Sequence, residues 1–391
     1  MKPNSPGEVL VAFLRLGLTS FGGPVAHLGY FRNELIVRRK WTSEASYGDL
    51  VALCQFLPGP ASSQVGFALG VLRGGGLLGG LAAWLAFTAP SALIMLAFAL
   101  GAGAATGPVA LGVLHGLKLV AVAIVAQAVW GMSRTLTPDR PRAAIALAGV
   151  LLAALAGGTG VQVVVIALGA LAGLAVCRAE APPISGQLAF PVSRSAGAIA
   201  LAGAAVLLLI PAASPALARF DAFYRAGALV FGGGHVVLPL LRAAVVDPGW
   251  VSGEAFLAGY GVAQAIPGPL FTFAAYLGAL LPPNAPVGAL AALVAIFLPG
   301  LLLVYGTLPF WDALRARPSA QAAMRGANAA VVGILAAALY DPVWTSAVLG
   351  KTDFALALAG FLLLTVWKVP SWLVVILIAT AAAAAALAHA G

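Results

Sequence analysis

Long apolar runs separated by short polar stretches fill this chain from end to end. Runs of about 20 residues, the length at which a helix crosses a bilayer, recur at Leu77–Leu100, Val109–Trp130, Ala198–Leu217 and Val287–Tyr305. The strands of an outer-membrane barrel would alternate apolar and polar positions, and this chain does not alternate. The pattern predicts an all-α polytopic membrane protein with about 10–13 membrane segments.

Helix-breaking residues interrupt several of these runs. Two breaks read Pro-Gly-Pro, at Pro58–Pro60 and Pro267–Pro269, and two are glycine-rich, at Gly22–Pro24 and Gly232–Gly234. Proline removes a backbone donor and glycine adds backbone freedom, so a helix does not continue smoothly through them. Broken backbone is tolerated at membrane depth only where protein or a wet cavity satisfies it. We therefore predict broken and re-entrant helices.

The breaks recur at corresponding positions of two halves. Phe21 corresponds to Phe231 at an offset of 231 − 21 = 210, and Pro58 corresponds to Pro267 at 267 − 58 = 209. A nearly constant offset over more than half of each repeat indicates an internal duplication. We predict an N-terminal repeat at 1–180, a linker with an extra apolar segment at 181–217, and a C-terminal repeat at 218–391.

The arginines indicate how the two repeats are oriented, because cytoplasmic loops carry an excess of Lys and Arg. Arg315 and Arg317 follow the second-half segment that corresponds to Leu77–Leu100. In the first half, the uncharged loop near Gly101–Gly107 holds that place. The positive charge changes sides between the halves, which predicts an inverted repeat.

Composition excludes a water-soluble protein. The chain is 62% hydrophobic and 8% charged, whereas soluble domains carry about 25% charged residues. The formal charge of +9 comes from basic residues between apolar runs, which indicates the positive-inside bias of a membrane protein and no nucleic-acid partner. Cys54 and Cys177 provide neither a disulfide framework nor metal-ligand spacing. Gly350-Lys351-Thr352 resembles the end of a phosphate-binding loop, but Thr345 stands where the loop requires a glycine, which argues against an ATP-driven pump. No segment resembles a haem, iron–sulfur or flavin site, so we predict no enzyme, metal or cofactor.

The helix breaks provide a means of binding an anion without a buried full charge. A broken helix presents free backbone N–H groups and the positive end of its dipole at mid-membrane. The alternative is that the prolines and glycines only kink or closely pack helices. The predicted substrate-binding residues are those of the breaks and the polar residues beside them: Ser20, Gly22, Gly23, Pro24, His27, Gln55, Pro58, Gly59, Pro60, Ser62, Ser63, Gln64, Gly232, Gly233, His235, Gln264, Pro267, Gly268, Pro269 and Thr272.

Titratable residues near the breaks are candidates for coupling and gating. His27 and His235 follow the two glycine-rich breaks, and either would carry a coupling proton or attract an anion. Hydrogen bonding between helices is the alternative role for both. Nine charged residues are assigned to a gate or an electropositive entrance: Arg32, Glu34, Arg38, Arg39, Glu44, Asp49, Lys118, Glu254 and Arg325. Their alternative roles are positive-inside bias, helix capping and snorkelling.

Several of these motifs together resemble a known family. The segments Phe21–Tyr30, Arg38–Trp41 and Gln55–Gly66 resemble the chromate ion transporter family, and Phe231–Leu240 with Gln264–Pro269 resembles its C-terminal domain. The resemblance implies a two-domain, multi-pass protein of the bacterial inner membrane. It further implies a secondary transporter that exports chromate, driven by the membrane potential or a proton gradient, and that confers chromate resistance.

The resemblance leaves several alternatives open. Sulfate or a related oxyanion is an alternative substrate, an uncoupled anion channel is an alternative mechanism, and a homodimer is one arrangement in the bilayer. The second half has Gly234 in place of Pro24, and Leu270-Phe271 in place of Ala61-Ser62. We therefore expect the more polar first half to contact the substrate. We also expect Ser63→Ala and Gln55→Ala to impair transport.

Overall fold

The structure is a computed structural model, and it describes residues 5–102, 107–156, 161–177, 190–210, 213–231, 234–311 and 317–390. Within these ranges every regular element is helical, which confirms the all-α prediction. Gly232 and Gly233, both predicted to bind substrate, lie outside the described residues. Residues 181–189 and 211–212 of the predicted linker lie outside them as well.

Short helices surround each break, and longer helices follow. The first half contains α1 (Pro6–Thr19), α2 (Gly23–Phe31), α3 (Glu44–Phe56), α4 (Ala61–Gly74), α5 (Leu77–Ala102), α6 (Pro108–Leu136), α7 (Arg140–Leu155) and α8 (Val161–Val176). Next come α9 (Arg194–Leu209), α10 (Pro215–Ala228), α11 (Val237–Leu241), α12 (Gly253–Ala263), α13 (Phe273–Ala279) and α14 (Ala285–Thr307). The chain continues with α15 (Pro318–Ala338), α16 (Lys351–Thr365) and α17 (Ser371–Ala390).

Four of the described helices are long and apolar enough to cross a membrane: Leu77–Gly101, Val109–Leu136, Ala285–Phe310 and Pro318–Ala347. Five further apolar helices are shorter. The chain is therefore a multi-pass membrane protein. One predicted segment was wrong in extent, because Ala198–Leu217 is not continuous: α9 ends at Leu209 and α10 begins at Pro215.

The helices on either side of the first Pro-Gly-Pro break are too short to cross the bilayer singly. With 13 residues, α3 is about 20 Å long, shorter than the ~30 Å hydrocarbon core. With 14 residues, α4 is similar. The two helices end and begin at the break, at Phe56 and Ala61, and their return to one side of the membrane stays a prediction.

Glycines allow the same pairs of helices to pack closely in both halves. In the first half α1 packs on α5, and in the second half α10 packs on α14. A Cβ at Gly17 would lie 2.8 Å from the carbonyl oxygens of Ala86 and Phe87, and one at Gly227 would meet the carbonyl of Ile296 in the same way. The duplication predicted from the sequence therefore corresponds to one packing arrangement built twice.

The C-terminal helices of the two halves are exchanged. Helix α6 of the first half packs against α16 and α17, whereas α15 of the second half packs against α7 and α8. Small residues allow the close approach: a Cβ at Gly116 would lie 2.6 Å from the Cα of Ala379. The two repeats are therefore interlocked in space. The repeat boundaries at 1–180 and 218–391 describe the order of the chain and stay a prediction.

Candidate functional site

The breaks of the two halves meet, and each satisfies a backbone group of the other. Gly59 donates its N–H to the carbonyl of Val230 at 2.7 Å, and Gly268 donates to the carbonyl of Ser20 at 2.9 Å. Val230 corresponds to Ser20 at an offset of 210, and Gly268 corresponds to Gly59 at 209. The two bonds are therefore the same contact made twice. They supply the protein partners that interrupted backbone needs at membrane depth.

Glycine is required at these breaks by backbone conformation. Gly22, Gly59 and Gly268 have φ angles of 97°, 122° and 96°, a region that side chains with a Cβ rarely adopt. A Cβ at Gly59 would also lie 2.9 Å from Gln64 Nε2 and 3.0 Å from the Cα of Gly300. The break therefore has neither the conformation nor the space for a larger residue.

Helix α4 begins inside the protein without a side-chain cap. Its N-cap residue is Pro60, whose side chain makes no capping hydrogen bond. The first turn contains Ser62, Ser63 and Gln64, which are only 3%, 2% and 0% exposed. The first N–H groups of a helix have no partner within the helix, and they carry the positive end of its dipole. The start of α4 is thus a buried, electropositive surface of backbone amides.

Polar side-chain atoms around this helix start have no hydrogen-bond partner. In the part of the chain that the structure describes, this holds for Ser20 Oγ, His27 Nε2, Ser63 Oγ and Gln64 Oε1. Buried polar groups are nearly always hydrogen-bonded. Four such atoms near one break therefore make this region the candidate site for a polar ligand.

His27 connects the elements that surround the site. Its side chain is fully buried, and its Nδ1 lies 3.3 Å from Ser62 Oγ. The ring of Phe87 meets the imidazole edge-on, with centroids 5.3 Å apart. The imidazole is thus fixed between α2, α4 and α5.

Gln64 holds the break against the second half. Its Nε2 donates to the carbonyl of Pro58 at 2.9 Å and to the carbonyl of Gly300 at 3.1 Å. Both donors of the amide are committed to the backbone, which leaves the amide oxygen as the atom without a partner. The geometry gives Gln64 a structural role in the break, in addition to its place in the first turn of α4.

The second half replaces this polar cluster with apolar side chains. Val230, Phe271 and Phe273 stand where the first half has Ser20, Ser62 and Gln64, and all three are buried. Thr272 corresponds to Ser63, but its hydroxyl donates to the carbonyl of Pro269 at 2.8 Å and is already satisfied. The two breaks share a backbone arrangement and differ in side-chain chemistry.

Two hydroxyl residues on α5 escaped the sequence analysis. Thr88 and Ser91 are 1% and 0% exposed, and Thr88 Oγ1 has no partner among the described residues. A Cβ at Gly268 would lie 2.6 Å from Ser91 Oγ, so Ser91 faces the second Pro-Gly-Pro break. The sequence signal that could have identified them is Pro90, which corresponds to Pro299 in the second half. Thr88 lies two positions before Pro90, and Ser91 lies one position after it.

Thr88 lies on the face of α5 that meets the second half. Residues 84, 88 and 91 follow the spacing of one helix face. The ring of Trp84 packs on Phe297, with centroids 5.7 Å apart, and Ser91 lies against Gly268. Thr88 is therefore placed between these contacts, at the level where the two halves meet.

Three predicted site residues lie elsewhere. Gln55 is exposed and lies outside the buried cluster, on the same face of α3 as Ala52, and its role in substrate binding stays a prediction. His235 is half-buried, and its Nδ1 pairs with the hydroxyl of Tyr260 at 2.8 Å. Gln264 is buried, and its backbone carbonyl accepts a hydrogen bond from Ser371 at 3.2 Å.

The predicted entrance arginines are paired with carboxylates. Arg32 Nε lies 2.8 Å from Glu44 Oε2, and Glu34 pairs with Arg38 at 2.8 Å and with Arg39 at 2.7 Å. Partial burial raises the pKa of Glu34, and the hydrogen bonds from the two arginines outweigh this and lower it below its usual value. This pairing reduces the net positive charge that an entrance would present, so the electropositive entrance stays a prediction.

The other charged candidates also have partners. Lys118 lies 3.5 Å from Glu254, and Arg325 donates to the carbonyl of Cys177 at 3.0 Å. Asp49 is half-buried on α3. Glu44 and Glu254 occupy first turns whose caps are Ser43 and Ser252, so neither glutamate is itself the capping residue.

Comparison with known proteins shows extensive sequence similarity. The sequence model described as "Chromate transporter" matches residues 7–174 and again 217–385. The chromate transport protein of Pseudomonas aeruginosa is 31% identical over 96% of this chain and 91% of that protein. The probable chromate transport protein of Synechococcus elongatus is 30% identical over 94% and 93%, respectively. The chromate transport protein of Cupriavidus metallidurans is 30% identical over 85% and 81%. No solved structure matches.

The fold and the site together define a multi-pass helical membrane protein of the transporter class, built from two related halves that meet at interrupted helices. The double match of the family model fits this two-half repeat. The chain belongs to the chromate transporter family.

Proposed function

We propose that this protein transports chromate and that the first turn of α4 binds the anion. The observation that supports the site best is the buried, uncapped start of α4 beside polar atoms without partners. The family match supports chromate as the substrate. Chromate is a tetrahedral dianion, and backbone amides at a helix N-terminus favour such a charge without a buried cation.

The polar groups of the site carry no full positive charge. They would therefore bind the anion weakly enough to release it, as transport requires. The hydroxyls of Ser20 and Ser63 are donors that rotate toward an oxyanion, and Thr88 adds a third from α5. The amide oxygen of Gln64 does not donate, so Gln64 positions the break through Pro58 and Gly300. The residues of the second break would form an apolar wall on the remaining side of the binding site.

Alternating access would move the two halves around this site. In inverted-repeat transporters the substrate binds near the midplane at discontinuous helices, and one repeat rocks against the other. The reciprocal bonds from Gly59 to Val230 and from Gly268 to Ser20 join the halves at this level. We propose that movement there exposes α4 to each side in turn. Export across the bacterial inner membrane, secondary coupling and chromate resistance are parts of the same proposal.

The experiment that tests this function is chromate flux in everted vesicles. We expect chromate to accumulate above equilibrium when a membrane potential or a proton gradient is imposed. Accumulation abolished by equimolar sulfate would make sulfate the preferred substrate. Flux that never exceeds equilibrium would identify an uncoupled channel and contradict a secondary transporter.

Ser63→Ala is expected to weaken chromate binding about tenfold, the equivalent of one lost hydrogen bond to a charged group. The matched control is Thr272→Val at the corresponding position, where the hydroxyl is already bonded to Pro269; chromate affinity should be unchanged. Gln55→Ala, an exposed position, should also leave transport intact. The measurement is the KM for chromate in vesicles with matched protein content. Equal effects of Ser63→Ala and Thr272→Val would contradict a one-sided site.

Thr88→Val is expected to raise the KM for chromate by roughly three- to tenfold, because it removes a donor while keeping the shape of the side chain. Valine also relieves a buried hydroxyl without a partner, so thermal stability should be unchanged or increased. Thr307→Val is the control, since its buried hydroxyl donates to the carbonyl of Leu303 at 2.7 Å. A wild-type KM in Thr88→Val would exclude α5 from the site.

A further inference from the structure

A cavity in the second half occupies a place that the first half fills with its own side chains. The cavity, of about 290 Å³, is lined by Pro215, Ala218, Arg219, Trp250, Leu280, Leu281 and Pro282. We call it the Arg219 cavity. It lies where α10 begins, where α13 has ended and where the chain approaches α12. Apart from the guanidinium and the indole N–H, its walls are apolar.

The corresponding place in the first half contains an anion supplied by the chain. Trp250 corresponds to Trp41 (250 − 41 = 209), Ala218 to Glu8 (218 − 8 = 210) and Pro282 to Arg73 (282 − 73 = 209). There the carboxylate of Glu8 accepts hydrogen bonds from Arg73 at 2.7 Å and from the indole of Trp41 at 3.3 Å. One carboxylate thus joins the start of α1 to the end of α4.

The second half keeps donors for an anion and lacks the carboxylate. Arg219 is half-buried, and within the described residues it has neither an ion pair nor a hydrogen bond. The indole N–H of Trp250 likewise has no acceptor among these residues.

Neighbouring carboxylates are already engaged. Asp221 pairs with Arg225 at 2.7 Å, and Asp247 pairs with Arg242 at 3.2 Å. Neither is the counter-ion of Arg219. A half-buried guanidinium without a counter-ion favours an anion from outside the chain.

We propose that the Arg219 cavity binds an anionic phospholipid. The phosphate would accept hydrogen bonds from Arg219 and Trp250, and an acyl chain would lie against Leu280 and Leu281. Arginine is suited to a phosphate group because its planar fork donates two parallel hydrogen bonds. Tryptophan is enriched at the level of lipid headgroups. The lining residues Leu280, Leu281 and Pro282 come directly before α14, which is long and apolar enough to cross a membrane, so the cavity lies next to the end of a candidate span. The apolar walls favour an amphiphile over a free inorganic anion.

The test compares retained lipid in four forms of the full-length protein. Wild type, Arg219→Gln, Arg219→Lys and Ala218→Glu are reconstituted with equal amounts of phosphatidylglycerol and phosphatidylcholine, transferred to detergent and analysed by native mass spectrometry. We expect wild type to retain phosphatidylglycerol selectively. Arg219→Lys keeps the charge but not the paired donors, so it should retain an intermediate amount. Arg219→Gln should retain about tenfold less, the effect of losing one charge-assisted interaction.

Ala218→Glu is the most informative variant because it restores the carboxylate that the first half has at Glu8. The new carboxylate would pair with Arg219, so we expect phosphatidylglycerol retention to fall while size-exclusion behaviour and thermal stability stay at wild-type values. Equal retention in all four forms would overturn the proposal. Sulfate that raises the thermal stability of wild type, when phosphatidylglycerol does not, would also overturn the proposal and assign the cavity to a free anion. These readouts involve no chromate, so they are independent of the proposed transport function.

Discussion

Replacing Gly59 with alanine is expected to abolish chromate transport and to lower the stability of the protein. The φ angle of 122° at Gly59 disfavours any Cβ, a strain of roughly 1–3 kcal/mol. The added carbon would also press on Gln64 Nε2 at 2.9 Å and on the Cα of Gly300 at 3.0 Å. Relief of that contact would move the start of α4, where we place the anion. The measurement is chromate flux in vesicles, together with a thermal melt of the purified protein.

Gly203→Ala is the matched control for this prediction. Gly203 lies within α9, and a Cβ there would meet nothing within 4 Å, so alanine should be neutral or stabilising by roughly 0.5–1 kcal/mol. Gly268→Ala should behave like Gly59→Ala, because its φ is 96° and a Cβ would lie 2.6 Å from Ser91 Oγ. Wild-type flux in Gly59→Ala would show that the geometry of the break is not required.

His27→Gln is expected to remove the response of transport to a proton gradient while the response to membrane potential persists. His27 is the fully buried titratable side chain that contacts Ser62 in the first turn of α4. Protonation there would add a positive charge beside a dianion, so proton and substrate binding would be coupled. Glutamine keeps a polar group of similar size without titrating. Flux is measured with imposed pH gradients at a clamped potential.

His235→Gln is the control for the proton-coupling prediction. His235 pairs with Tyr260 and lies outside the polar cluster, so its replacement should leave the response to the proton gradient unchanged. A retained response in His27→Gln, or loss of the response only in His235→Gln, would contradict the role that we assign to His27. A wild-type protein that ignores the proton gradient would contradict proton coupling altogether.

The duplication and the breaks were readable from the sequence because both are set by local chemistry. Proline and glycine interrupt a helix wherever they occur, so Pro58–Pro60 and Pro267–Pro269 mark the ends of helices without knowledge of the fold. The observed ends at Phe56 and Ala263 agree with that prediction. The inverted relation of the halves rests on the arginines and stays a prediction.

The long-range contacts were not readable, because no local signal encodes them. The exchange of C-terminal helices around α6 and α15 depends on small residues that would pack equally well against many apolar partners. The reciprocal bonds of Gly59 and Gly268 involve backbone groups that every sequence contains. Thr88 was missed for a related reason: one hydroxyl within an apolar run carries no periodic signal.

The difference between the halves was partly visible in advance. The sequence showed Phe271 in place of Ser62, and the structure shows that both positions are buried. Only the structure shows that the hydroxyl of Thr272 is already bonded, whereas that of Ser63 is not. Hydrogen-bond satisfaction depends on the local backbone, and residue type alone does not determine it.

Chromium anomalous scattering from crystals of the protein with bound chromate tests the central claim most directly, because it locates the anion itself. We expect one site per chain, with chromate oxygens within hydrogen-bonding distance of the Ser63 hydroxyl and of the backbone amides in the first turn of α4. A chromium signal at Pro267–Pro269 instead, or two equal signals at the two breaks, would contradict a single anion site in the first half.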